Sequence, residues 1–357
     1  MDKEIRVLGA GPAGLTAAIT LARAGRQVVV YEQAQDCGRR FGGDLQGLEN
    51  WSTKTDILDE LKAIGIGVGF DCTPFTSVYS VSSTLQVTRH FAAAPLFYLV
   101  HRGAAPGSFD QALKRQALDA GVRIEFGATC NPEAVDIVAT GPIRKPSFGV
   151  VRGVVFPTDA PDCAYMMFDN ELSYLGYSYL LITRGRGCLC VVAFDRFEES
   201  RRRLDIAVER LSRLSGVTID RTSPINGFGT FQHNPRYQQD GRLHCGEAAG
   251  LQDLLWGFGL RFALQSGHLA ARCLLEDCDY EQMAQRAFES RLRVGVVNRF
   301  VWEILGNFGY RWFLRRARRH GELRAFCSSL FEYSLWHRLA FPIALRGLRL
   351  RHPELAY

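Results

Sequence analysis

Residues 5–8 (IRVL) form a short apolar run cut off by Gly9, and apolar residues at helical spacing follow over residues 15–24 (LTAAITLARA). That order predicts a buried strand, a glycine turn and a helix packed back on the strand. Gly25 closes the helix, QVVVY at residues 27–31 reads as the next strand, and Glu32 stands at its end. Residues 75–87 alternate Ser and Thr with Val and Tyr, the pattern of a half-exposed strand. The runs at 153–156, 164–168, 176–183 and 187–194 predict further strands, joined with it in an antiparallel sheet. At Leu243 another short strand runs into Gly246-Glu247-Ala248-Ala249-Gly250, and Gly257-Phe258-Gly259 then opens a long helix of small residues. Near the end, Leu305, Phe308, Trp312 and Phe313 share one helical face. Residues 335–350 repeat the pattern, with Trp336, Leu339, Ile343 and Leu348 set against Arg338, Arg346 and Arg349. Pro342 is expected to kink or interrupt that last helix.

The first unit carries a chemistry. GAGPAG, residues 9–14, has GxGxxG spacing between strand and helix. Gly9 permits the tight turn, Gly11 lets the backbone approach a pyrophosphate, and Gly14 lets the helix lie close to the strand. Pro12 and Ala13 belong to the same turn, and free N–H groups and the helix dipole favour phosphate at the helix start. Glu32 is placed to bond a pair of ribose hydroxyls, and an acid there rather than an Arg argues against a 2′-phosphate.

GAGPAGL at the start and GEAAG with GFG far along the chain together resemble the flavoprotein superfamily of para-hydroxybenzoate hydroxylase and geranylgeranyl reductase. The resemblance implies FAD as the resident cofactor. It puts Glu247 at the acid position that binds the flavin ribityl chain, where the family usually has Asp. It also aims the helix after Gly257 and Gly259, N-terminus first, at the flavin pyrimidine ring, where negative charge collects on reduction. Gly246 belongs to the same motif. YLVHR at residues 98–102 followed by Phe109-Asp110 looks like the family's segment beside the cofactor. Arg102 there either meets FAD phosphate or ribityl oxygens or forms an ion pair at a helix entry.

ATG at residues 139–141 resembles the strand end of two-dinucleotide flavoproteins, which sets Gly141 beside the cofactor and departs from the ADG..S..R element of aromatic hydroxylases. CGRRFGG, residues 37–43, stands where geranylgeranyl reductases have a PxxCGxG-like segment. Arg40 within it is grouped with the cofactor-binding residues, while the functional role of the family's cysteine does not carry over to Cys37. Tyr177 and Tyr179 stand where those reductases have an aromatic-rich strand facing the flavin. With Trp256 they are the candidate walls of a substrate pocket.

Composition narrows the rest. At 357 residues, 47% hydrophobic and 22% charged, the chain can bury a large core. No apolar run approaches the roughly eighteen residues of a membrane span, and a strand begins at once, so a cytoplasmic protein without a secretory signal is expected. Ten cysteines are scattered, and Cys188 and Cys190 share a strand face in a spacing poorly suited to metal, so no metal site is expected. The histidines at 90, 101, 233, 244 and 268 lack supporting partners and read as structural. Residues 281–357 carry a net charge of +8, against −2 for residues 1–280. This tail fits either an anionic membrane surface, which makes the protein membrane-peripheral, or a solvated face. No nucleic-acid module accompanies the charge, so no nucleic acid is expected.

The fold class is therefore α/β: a doubly wound parallel FAD-binding sheet, an inserted antiparallel substrate sheet and a helical C-terminus. Residues 1–70, 97–150 and 220–280 are assigned to the FAD part, 71–96 and 151–219 to the substrate part, and 281–357 to a basic helical region. No second GxGxxG unit is present, so NAD(P)H would act as a transient reductant unless a protein donor does. The first reading is reduction of a carbon–carbon double bond in an apolar, isoprenoid-like or amphipathic small substrate by hydride from reduced flavin. The alternatives are hydroxylation of a small organic molecule through activated oxygen, and a non-redox binding role. A halogenase lies further off: its WxWxI signature and catalytic Lys are absent, the only lysines being Lys3, Lys54, Lys62, Lys114 and Lys145.

Overall fold

A computed structural model describes residues 3–142, 149–230 and 235–353. His233 and Lys145 lie outside these.

Three sheets organise the chain. The first has the strand order Gln238–Gln239, Arg242–His244, Ile137–Val138, Ile5–Leu8, Val28–Glu32, Arg123–Phe126. It is parallel throughout except for the hairpin at its 238–239 edge. Val7, Val29, Val30 and Ile137 are wholly buried in it, as expected for a parallel sheet covered on both faces. The second sheet has seven strands, in the order Ser223–Gly229, Gly149–Pro157, Arg186–Ala193, Tyr177–Thr183, Cys163–Phe168, Ser77–Ser82, Val87–Phe91. All its pairs are antiparallel except Cys163–Phe168 with Ser77–Ser82, which run parallel. A third, three-stranded sheet (Gly42–Glu49, Phe97–Gly103, Thr73–Phe75) stands between them.

The helices are α1 (Pro12–Arg23), α2 (Ile57–Ala63), α3 (Phe109–Asp119), α4 (Ser200–Ser215), α5 (Leu260–Glu276), α6 (Tyr280–His320), α7 (Leu323–Phe331) and α8 (Leu335–Arg351). α1 starts three residues before the expected Leu15, because Pro12, with its fixed φ and no N–H, fits the first helical turn. α1 and α5 lie so close that a Cβ on Gly267 of α5 would overlap the carbonyl of Ala13.

Four sequence expectations change in detail. Residues 75–87 are not one strand: the chain turns after Ser82, and Leu85 takes a positive φ there. Residues 149–150 and 223–229 pair into the seven-stranded sheet, although the sequence reading placed them in the FAD part. Pro342 sits inside α8 without ending it, and α6 instead breaks at Gly306 (φ 49°, ψ −142°). Phe313 and Leu348 turn inward to the core, away from the exposed residues with which the helical pattern grouped them.

Candidate functional site

A cavity of about 900 Å³ opens where the three sheets meet. Its polar end is built by the first parallel strands. Gly9, with φ +103°, turns the chain out of the strand, where a Cβ would overlap the Ala139 carbonyl. Gly11 borders the cavity, and an added Cβ there would meet nothing within 4 Å, so its backbone faces open space. Pro12 and Ala13 line the same wall. Gly14 does not line the cavity: a Cβ on it would overlap the Gly9 carbonyl, so its part is the close approach of helix to turn. Glu32 is fixed by two backbone donors, accepting from Ala10 N–H at 2.9 Å and from Ala34 N–H at 2.9 Å. Its carboxylate keeps acceptor capacity for hydroxyl groups in the cavity.

Two helices that begin at the cavity, α1 and α5, start at Gly11 and Gly259 with no side-chain cap, as α4 does at Glu199 elsewhere. Asp56, Ser108 and Asp279, by contrast, cap α2, α3 and α6 with side-chain oxygens. Each uncapped end presents N–H groups without intrahelical partners and the positive end of a helix dipole. These are places for a pyrophosphate at α1 and for an electron-rich ring edge at α5.

Between these ends stand Gly246, Glu247, Gly257 and Gly141, all on the wall. The Glu247 Oε2 is 3.6 Å from Nη1 of Arg40, and its Oε1 is 3.4 Å from the Gln252 amide nitrogen. Burial pushes the Glu247 carboxyl upward, against the pull of Arg40. Arg40 also donates to the Phe228 carbonyl (2.6 Å) and lies over the Phe41 and Phe228 rings. Arg102, left open between two roles, is held as an ion pair. Its Nε and Nη2 both bond Asp110 at 2.8 Å, its Nη1 bonds Gln46, and both charged groups are buried, although Arg102 borders the cavity. That pair ties α3 to the Phe97–Gly103 strand.

The other end is apolar. Tyr177, Tyr179, Trp256, Met166, Leu181 and Phe194 face it, with the Tyr177 and Tyr179 rings 6.0 Å apart. Tyr177 donates its hydroxyl proton to the Trp256 carbonyl. Burial pushes the ionisation of both phenols up, so this wall is neutral. Asp253, buried behind it, accepts from Leu255 and Trp256 N–H and is raised to about 6 by burial.

Sequence reasoning missed Gln252 and Asp44, both on the wall. Gln252 sits in the loop between the two quoted glycine motifs, with its amide against Gly259 and its Oε1 buried without a hydrogen-bond partner. Asp44 follows the CGRRFGG segment, and burial raises its carboxyl. Neither belongs to a recognised motif. His90, His101, His244 and His268 stand away from the cavity, and Cys37 is buried with its thiol pushed up to about 12, which disfavours the thiolate. Among the described residues no His, Cys, Asp and Glu cluster could hold a metal.

Residues 7–44 match the family model of an NAD(P)-binding Rossmann-like domain. Compared with curated proteins by sequence, the chain matches none. Among solved structures it is similar to a geranylgeranyl bacteriochlorophyll reductase-like protein from Thermoplasma acidophilum, with TM-score 0.72 and 16% identity over 99% of this chain and 97% of that one. The two chains share a fold of a parallel Rossmann-like sheet, a separate antiparallel sheet and C-terminal helices. A flavin-dependent brominase has TM-score 0.62 and 17% identity over 98% of this chain and 100% of its own. The 2-methyl-3-hydroxypyridine-5-carboxylic acid oxygenase has TM-score 0.56 and 17% identity over 88% of this chain and 93% of its own. No helix of the described residues is long and apolar enough to cross a membrane.

Proposed function

We propose that this chain is an FAD-dependent oxidoreductase that reduces a carbon–carbon double bond of an apolar, isoprenoid-like substrate. The observation that carries the reading is the single cavity joining two uncapped helix N-termini to an apolar wall. The residues present fit the cofactor. Glu32 has acceptor capacity for the adenosine ribose, the open backbone at Gly11 and the start of α1 suit the pyrophosphate, and Glu247 with Arg40 borders the ribityl path. The start of α5 at Gly259 suits the pyrimidine edge, and the buried, unpartnered Gln252 Oε1 is an acceptor beside it. Bound FAD, reduced by NAD(P)H or a protein donor, would supply both the hydride and the proton that add across the double bond.

The rest falls to the chain. Tyr177, Tyr179 and Trp256 form a neutral wall that suits an apolar substrate and excludes water. Tyr177 holds its proton on the Trp256 carbonyl, so it acts as a spacer rather than an acid. The likeness to a geranylgeranyl reductase-like structure supports the reductase, and no described lysine lines the cavity to support a halogenase. The oxygenase and brominase likenesses favour activation of oxygen as the second reading.

Anaerobic addition of NAD(P)H, or of dithionite if neither nucleotide works, to the purified protein separates the readings. The expected result is a yellow protein that bleaches, then regains its colour on addition of a polyprenyl alkene without oxygen. Reoxidation only by oxygen, with a hydroxylated product, would move the assignment to the monooxygenase. Purification without flavin and failure to take it up would overturn the proposal.

A further inference from the structure

α8 is apolar on two opposite faces. His337, Ala344 and Leu348 are buried against the protein, and Gly347 seats so closely on Phe300 of α6 that a Cβ would overlap its ring. The outward face carries Trp336, Leu339, Ile343 and Leu350, each between 62% and 77% exposed. A helix on a protein surface ordinarily turns its polar face to water, so this arrangement is inverted. The charge on α8 itself is one-sided, with four arginines and no acid. Elsewhere in the C-terminal region, residues 307–320 also carry five arginines and no acid, with Phe308 and Trp312 exposed.

We propose that α8 lies in the headgroup layer of an anionic lipid bilayer, with Trp336, Leu339 and Ile343 in the acyl boundary and Arg338 and Arg346 on the phosphates. Charge complementarity selects this occupant. A second copy of the chain would bring the same arginines together, and like charges facing one another oppose association. A bilayer with anionic headgroups satisfies both the apolar stripe and the positive rim, as amphipathic interfacial helices do. The placement also bears on the cavity: Trp256 on its wall packs on Trp302 and Phe313 of α6 and on Phe331 of α7, the helices next to this face. The inference is independent of the flavin reading, because lipid binding is read without turnover.

The test is sedimentation of the full chain with phosphatidylcholine vesicles, with and without phosphatidylglycerol, over a salt series. Binding is expected only with phosphatidylglycerol, weakening as salt shortens the Debye length to about 8 Å and below. Replacing Trp336, Leu339 and Ile343 together by Ser is expected to lower vesicle partitioning by ~tenfold or more, since the buried apolar area drives insertion. Arg338→Gln with Arg346→Gln is expected to weaken binding and flatten its salt dependence, with the melting temperature unchanged in both variants. Absence of binding to phosphatidylglycerol vesicles at low salt, or unchanged binding by the Ser variant, overturns the proposal. A dimer in light scattering that the Ser variant dissolves, without vesicle binding, overturns it in favour of a self-association face.

Discussion

Arg40 and Glu247 meet across the cavity wall, Nη1 to Oε2 at 3.6 Å, from segments about two hundred residues apart in sequence. The contact is too long for a strong hydrogen bond and short enough for mutual attraction, so each group keeps donors or acceptors for a third partner. Arg40 is also fixed by the Phe228 carbonyl and its two flanking rings, so it stays in place when the carboxylate is removed.

Glu247→Ala should therefore weaken FAD retention without collapsing the site. Loss of one charge-assisted hydrogen bond is worth roughly 1.5–3 kcal/mol, read as a raised dissociation constant in a flavin fluorescence titration. A variant that keeps wild-type affinity would remove Glu247 from the cofactor's contacts.

Gly11→Val addresses the pyrophosphate end. The side chain finds open space within the cavity, so folding should survive while flavin content falls. Circular dichroism and the melting temperature establish the fold, and the absorbance ratio of flavin to protein gives the outcome. Full flavin content in a folded variant would rule out this end as the phosphate seat.

Gly267→Ala separates packing from binding. It was not singled out by the sequence, being one small residue among many in a helix, yet its Cβ would overlap the Ala13 carbonyl, which belongs to backbone and cannot rotate away. Overpacking of this kind costs about 1–3 kcal/mol. The urea midpoint should fall, and an unchanged midpoint would mean that α1 and α5 are less tightly apposed.

What was legible in the sequence follows from how local the signal was. The turn at Gly9 to Gly14 and Glu32 could be read because strand, turn, helix and acid are consecutive, and Gly9 and Gly14 each answer a steric need. Gly246 and Glu247 were legible through a short motif with similar local logic. Arg102 stayed open because its partner Asp110 is eight residues away across a turn, and only the fold shows both oxygens taken up. Leu348 and Phe313 were misgrouped because helical periodicity finds faces but not which face meets the protein. When both faces of α8 are apolar, the pattern alone has no answer. The parallel pairing of Cys163–Phe168 with Ser77–Ser82 was illegible for a related reason: strand alternation is the same whichever way the neighbour runs.

The last prediction concerns how the C-terminus is tied to the molecule. Glu303 is buried and receives Arg299 Nε at 2.7 Å, Arg351 Nε at 3.0 Å and His352 Nε2 at 2.9 Å. Arg299 also donates to the Leu175 carbonyl (2.8 Å) and lies 3.6 Å from the centre of the Phe194 ring, which borders the cavity. Burial alone would raise the Glu303 carboxyl, but the His352 hydrogen bond and the Arg299 charge hold it at about 2, below the ordinary 4.5. A folded-state value below the unfolded one stabilises the protein above the unfolded pKa, and that stability is lost as pH falls from about 4.5 through about 2. At 1.36 kcal/mol per pH unit, the shift is worth about 3 kcal/mol. Urea midpoints measured from neutral pH downward should fall through this window in the wild type. Glu303→Gln should start lower, by about 3–5 kcal/mol, the cost of breaking a buried ion pair on one side. It should also lose a smaller part of its remaining stability over the same acid range. Parallel acid limbs in wild type and variant would show that Glu303 does not carry this linkage.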